Sequence, residues 1–252
     1  MSSSATPTPT PPTPPSTTPT PIDYEPKRPR ARHPRLRDDV AYVLPFAGFM
    51  ACLWVGTTWR PLFVPSYVVR EIVTVALLIL CWPHYTRIRW NGWWLGLIVG
   101  VIGIFQWVAM QLWLQKHFSL FQPPAEVFDP FKAFASPTAQ WAFVAVRMIG
   151  AVLVVPVMEE LFWRDFLWRE IIAPNDFKLA QVGEFEWPAV LVVTGAFASV
   201  HGNWWLTAVV WGLMIAALLI YTKSLGACII AHATTNLLLA LYVLKTHDWT
   251  FW

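Results

Sequence analysis

Polar and apolar positions divide the chain into two regimes. Up to about residue 38 there is almost no large apolar side chain; beyond it, apolar runs of helix length recur between short polar or proline-bearing breaks. A bilayer core about 30 Å thick asks for roughly 20 apolar helical residues, with 17–25 usual. Runs at about 41–58, 67–82, 93–114, 141–158, 188–201, 204–222 and 226–244 meet or approach that length, the fifth being short. The pattern predicts an all-α polytopic transmembrane helix bundle of seven to eight spans over residues 39–252. Pro45 and Pro156 are expected kinks.

Residues 1–21 hold eight prolines and, after the initiator, no large apolar residue. Such a segment buries too little surface to offset chain entropy and is expected to be disordered. It lacks the basic start and apolar core of a signal peptide. Residues 27–37 carry six Lys or Arg. Residues 1–38 therefore read as a Pro/Thr-rich tail and a basic arm. Before a first span, that arm predicts a cytoplasmic N-terminus touching anionic lipid. With the N-terminus inside, seven spans leave twelve basic residues on the inner side and five near the outer ends. Segment 115–140, with Pro123, Pro124, Pro130 and Pro137, reads as a long outer loop.

Composition sharpens this picture. The chain is 56% hydrophobic and 13% charged, against roughly 25% charged for a soluble domain, so much of it is expected to meet lipid. A balance of 18 basic to 15 acidic residues argues against a nucleic-acid partner. Seventeen tryptophans gather at the edges of apolar runs, as interfacial belts do. Cys52, Cys81 and Cys228 form no CxxC pair and read as packing residues.

Ionisable groups inside apolar runs are costly and usually functional, and three clusters qualify. Glu159 and Glu160 stand together, with Arg164 four residues after Glu160 in the favourable acid-first order. Glu159 lies about 100° away around a helix, so one carboxylate can be held while the other stays free to act as base or acid. The plain alternative is a helix end carrying an ordinary surface ion pair. His201 follows Phe197 and precedes Gly202 and Asn203, which suggest a helix break; by itself it also reads as an interfacial histidine. His232 and Asn236 share one helical face in an apolar span, among Ala231, Ala233, Thr234 and Thr235, small enough for another helix to approach closely. Interhelical hydrogen bonding is the competing role. Together the clusters contain what peptide hydrolysis needs: a base, two histidines and an amide donor. Glu159, His201 and His232 also form a chemically feasible ligand set for a divalent metal such as zinc, though HExxH is absent.

In this order, Glu159-Glu160-x-x-x-Arg164, Phe197-x-x-x-His201 and His232-x-x-x-Asn236 resemble the CAAX protease and bacteriocin-processing family of intramembrane endopeptidases. The likeness covers about residues 140–245. The stretch 221–252 together with 159–166 looks like a bacterial branch, called CAAX prenyl protease-related, that accompanies exosortase protein-sorting systems. The resemblance implies that Glu159 and His201 activate water, that His232 and Asn236 form the oxyanion hole, and that Glu160 and Arg164 support the site or contact substrate. It favours a mechanism without metal. It implies a membrane-associated protein or peptide substrate, exosortase-system partners and a bacterial inner membrane. Relatives commonly have eight spans.

Two other functions use the same residues. A non-catalytic immunity or assembly protein would keep the scaffold, and a transporter would use the buried charges as an ion path. The complete set of four reactive side chains argues against the first, and the absence of an internal repeat against the second. Depth sets a further condition. If all helices are straight and complete, Glu159, His201 and His232 cannot meet; they can if the fourth helix runs on past Glu159 and the fifth ends at His201 inside the membrane.

Overall fold

The computed structural model describes residues 38–124, 126–174 and 176–252. The Pro/Thr-rich tail and the basic arm thus lie outside the described residues. Among those described there are helices and no strands. Seven helices make the bundle: α1 (Asp38–Thr58), α2 (Phe63–Cys81), α3 (Trp93–His117), α4 (Pro137–Ile172), α5 (Trp187–Ser199), α6 (Trp205–Thr222) and α7 (Leu225–Thr246). Each expected span is a helix. Six are long and apolar enough to cross a membrane, as in an integral membrane protein. The exception is α5, whose 13 residues reach only about 20 Å at 1.5 Å per residue. No eighth spanning helix exists among the described residues.

Two expected boundaries move. The loop after α3 is shorter than expected, because α3 continues to His117 and α4 begins at Pro137, with helical turns at Ser119–Phe121 and Pro130–Ala133 between them. The fourth helix does not stop near residue 158 but continues to Ile172. Its charges made it read as a helix end. They are instead neutralised within the helix: Glu160 pairs with Arg164 and Asp165 with Arg169, and all four side chains are buried.

Helix α4 is also irregular. Gly150–Val154 and Leu161–Leu167 are π-helical, on either side of the α-helical Val155–Glu160. Pro156 accounts for the first: it has no N–H for the carbonyl four residues back, and its ring crowds that turn. An inserted residue relieves both, and such π-bulges recur at functional sites. Pro45, by contrast, sits inside a continuous α1.

Helix α7 is held by what it packs against. Two residues, Lys223 in the left-handed conformation and Ser224, join it to α6. Ser224 caps α7 by accepting from the Ala227 amide and donates to the Arg89 carbonyl at 2.7 Å. The long contact with α3 runs along Gly96, Gly100 and Gly103. A Cβ at Gly100 would stand 2.6 Å from Thr234 Cβ and 2.7 Å from the Ala231 carbonyl oxygen. Small residues let membrane helices approach this closely where lipid offers no hydrophobic drive for association. Thr235 donates to the Gly100 carbonyl at 2.9 Å and fixes the register.

Candidate active site

The glutamate pair ends the α-helical stretch of α4, and Arg164 lies in the π-helical turn that follows. Four residues remain nearly one turn in either geometry, so Arg164 Nη1 still donates to Glu160 Oε1, at 3.2 Å. The same oxygen is 2.9 Å from His232 Nδ1 on α7. Glu160 is fully buried, and its Oε2 has no partner among the described residues. Glu159 points elsewhere, as the 100° step requires. It is half-buried and makes no hydrogen bond or ion pair among the described residues.

His201 follows the end of α5. That helix stops at Ser199, and Gly202 takes a positive φ of 53°. Glycine adopts that conformation freely, so the chain can turn from α5 into α6 directly after the histidine. His201 Nδ1 lies 2.7 Å from the Phe197 carbonyl. A carbonyl only accepts, so Nδ1 carries the proton, and the Nε2 of the neutral ring keeps a lone pair. The Phe197 ring is 4.3 Å from the His201 ring, centroid to centroid, and Trp107 of α3 meets the imidazole edge-on at 5.7 Å.

The three motifs are therefore joined. Glu160 links the first to the third through His232. The Arg164 guanidinium lies 4.6 Å from the Phe197 ring centroid and links the first to the second. Helix α4 runs past Glu159, and α5 is short and ends two residues before His201. Asn236 has a different environment. Its Nδ2 donates to the Ala151 carbonyl of the first π-helical turn at 2.8 Å, so one of its two N–H groups is already engaged. The trio that the sequence offers a metal, Glu159, His201 and His232, does not come together as ligands. No group of three or more His, Cys, Asp or Glu side chains does so among the described residues.

Three features escaped the sequence reading. One is the link between His232 and Glu160, which spans 72 positions. Another is the double contact of the motif residue Phe197, with Arg164 and with His201. The third is a second polar cluster, with Arg70 donating to Glu71 at 3.1 Å, the Glu71 carboxylate packed on Gly150, and Arg147 close by over the Tyr67 ring. Arg70 and Arg147 were visible as charges in or near spans; Glu71 carried no motif.

Residues 140–238 match the family model described as type II CAAX prenyl endopeptidase Rce1-like. No curated protein and no solved structure matches the chain. The match contains all three motifs. Over residues 140–238 the chain is thus similar to the Rce1-like type II CAAX prenyl endopeptidases, within a helical membrane protein.

Proposed function

We propose that the protein is an intramembrane endopeptidase that hydrolyses a peptide bond of a membrane-associated protein or peptide through water activated by Glu159 and His201. Glu159 takes a proton from the water, and His201 Nε2 holds the same water by its lone pair. The hydroxide adds to the carbonyl carbon. His232 and Asn236 donate to the oxyanion, His232 through Nε2 with its ring held at Nδ1 by Glu160, Asn236 through its remaining N–H. Collapse breaks the C–N bond, and the amine leaves with the proton returned by Glu159. Glu160 and Arg164 act on His232 and Phe197 rather than on substrate. No metal enters any step.

One observation carries this reading: of two adjacent glutamates, one is buried under an arginine and a histidine, while the other makes no hydrogen bond or ion pair among the described residues. A base must be free and its orienting neighbour must be held. The distribution of basic residues supports a cytoplasmic N-terminus, and the bacterial inner membrane and exosortase-system partners follow from the finer resemblance. One observation favours a non-catalytic assembly or immunity scaffold instead: the Asn236 amide is spent on a backbone carbonyl.

Comparing peptide termini by mass spectrometry, in cells with the wild-type chain and with Glu159→Gln, separates the two readings. The amide keeps the shape and removes the base. A defined set of cleaved termini should vanish while the variant remains folded in the membrane. Unchanged termini beside a phenotype of the deletion would hand the site to the scaffold reading.

A further inference from the structure

A cavity of about 630 Å³ opens at the end of the bundle where α1 and α3 finish and α2 and α4 begin. That is the size of a ligand site. His201 lines it, and so does Arg147, three turns before Glu159 on α4. Arg147 is the unusual group. Each of the other buried arginines holds a carboxylate: Arg70 has Glu71, Arg164 has Glu160 and Arg169 has Asp165. Arg147 is 7% exposed and has no carboxylate within ion-pair reach among the described residues. Its Nη1 is buried and has no hydrogen-bond partner among the described residues. Aromatic rings flank it, with centroids 5.5 Å away at Tyr67 and 4.9 Å away at Trp252, and the nearby Arg70 already holds Glu71. The other charges at the cavity, Arg60 and Glu126, are mostly exposed and pair with each other.

A buried cation without a counter-charge is costly, and removing the partner of such a pair is among the most damaging changes a protein can suffer. Aromatic rings offset part of that cost but accept no in-plane hydrogen bond. What this site lacks is a planar acceptor matching the guanidinium fork.

We propose that Arg147 is the carboxylate-binding residue of a substrate subsite, taking an acidic group of the peptide while His201, on the same cavity, faces the bond to be cut. This rests on the endopeptidase reading for its meaning but not for its test. Aromatic walls and one fixed cation suit an apolar peptide with a single carboxylate. Arg147 would then set which bond meets Glu159, without touching the reacting atoms.

The test is binding to the purified full-length chain in detergent. The probes are an acetylated apolar tripeptide with a free carboxylate, its C-terminal amide, inorganic phosphate, and phosphatidylglycerol vesicles for the reconstituted chain. The carboxylate peptide should bind about tenfold or more tightly than the amide, the weight of one charge-assisted hydrogen bond. Arg147→Gln should erase that difference, and Arg147→Lys should retain part of it. Equal binding of the two peptides by the wild type overturns the proposal, and needs no variant to fold. Arg147-dependent binding of phosphate or phosphatidylglycerol in place of the peptide also overturns it, in favour of a phosphate site. The same comparison in Glu159→Gln keeps the two readings apart. Carboxylate discrimination there without any cleavage in the wild type leaves the subsite standing and the protease falling; cleavage without discrimination does the reverse.

Discussion

Two arginine–carboxylate pairs lie one after the other on α4, and their difference shows where the protein is built to hold and where it is built to act. In the pair Asp165–Arg169, every strong group is answered. Oδ1 of Asp165 takes Arg169, and Oδ2 takes the Tyr42 hydroxyl at 2.7 Å. Arg169 also reaches the Ala180 carbonyl and Thr86 Oγ1, each at 2.9 Å, and the Thr86 amide donates back to Tyr42 at 2.7 Å. This closed network ties α1, the segment after α2, α4 and the loop before α5 together. The pair Glu160–Arg164 is equally buried but open. Among the described residues one oxygen carries both donors and the other none, and the histidine it holds keeps its second nitrogen for something else. Full satisfaction gives rigidity, and a remaining valence at a rigid place gives chemistry.

The comparison can be broken most decisively at Asp165. Asp165→Ala leaves Arg169 buried without its carboxylate and should cost about 3–5 kcal/mol, read as a large drop in melting temperature in detergent. A loss below about 1 kcal/mol would make the closed network ornamental. Glu160→Gln probes the open pair. It should lower kcat by about 10²-fold, the usual cost of a misoriented group, and the folded chain should persist. If it unfolded the chain as Asp165→Ala does, the two pairs would not differ in kind. Tyr42→Phe removes the hydrogen bond to the buried Asp165 and the acceptor of the Thr86 amide and should cost about 2–3 kcal/mol with no change in KM once stability is matched. Asn236→Ala is the smallest: about 1 kcal/mol for the bond to Ala151, seen by denaturation. An additional fall in kcat well beyond that loss would assign the second N–H to the oxyanion, and its absence would leave Asn236 as a clamp on the π-helical turn.

How much of this was legible depends on the range of the interaction. The seven helices were readable because lipid exposure writes itself into runs of apolar residues. The pairing of Glu160 with Arg164 was readable because it lies within one turn. The end of α4 was misplaced for a related reason: a hydropathy pattern counts Glu160, Arg164, Asp165 and Arg169 as four charges, whereas their mutual i,i+4 pairing makes them two neutral, buried units. The π-helical turns around Val155–Glu160 left only the proline as a trace. Glu71, outside any motif, could be placed only by its contact with Gly150.

By itself, then, the sequence determined a helical membrane architecture, the candidate polar residues, and the division of two adjacent glutamates between two faces. These are properties of neighbours along one helix, set by hydropathy and a fixed angular step. Tertiary structure alone decided that Glu160 meets His232, that Arg164 covers Phe197, that Asn236 spends an N–H on Ala151, and that Arg147 is left facing a cavity without a carboxylate. Those outcomes depend on the register and depth at which separate helices pack. That register is set by small-residue contacts such as Gly100 against Thr234, which no periodicity within a single helix records.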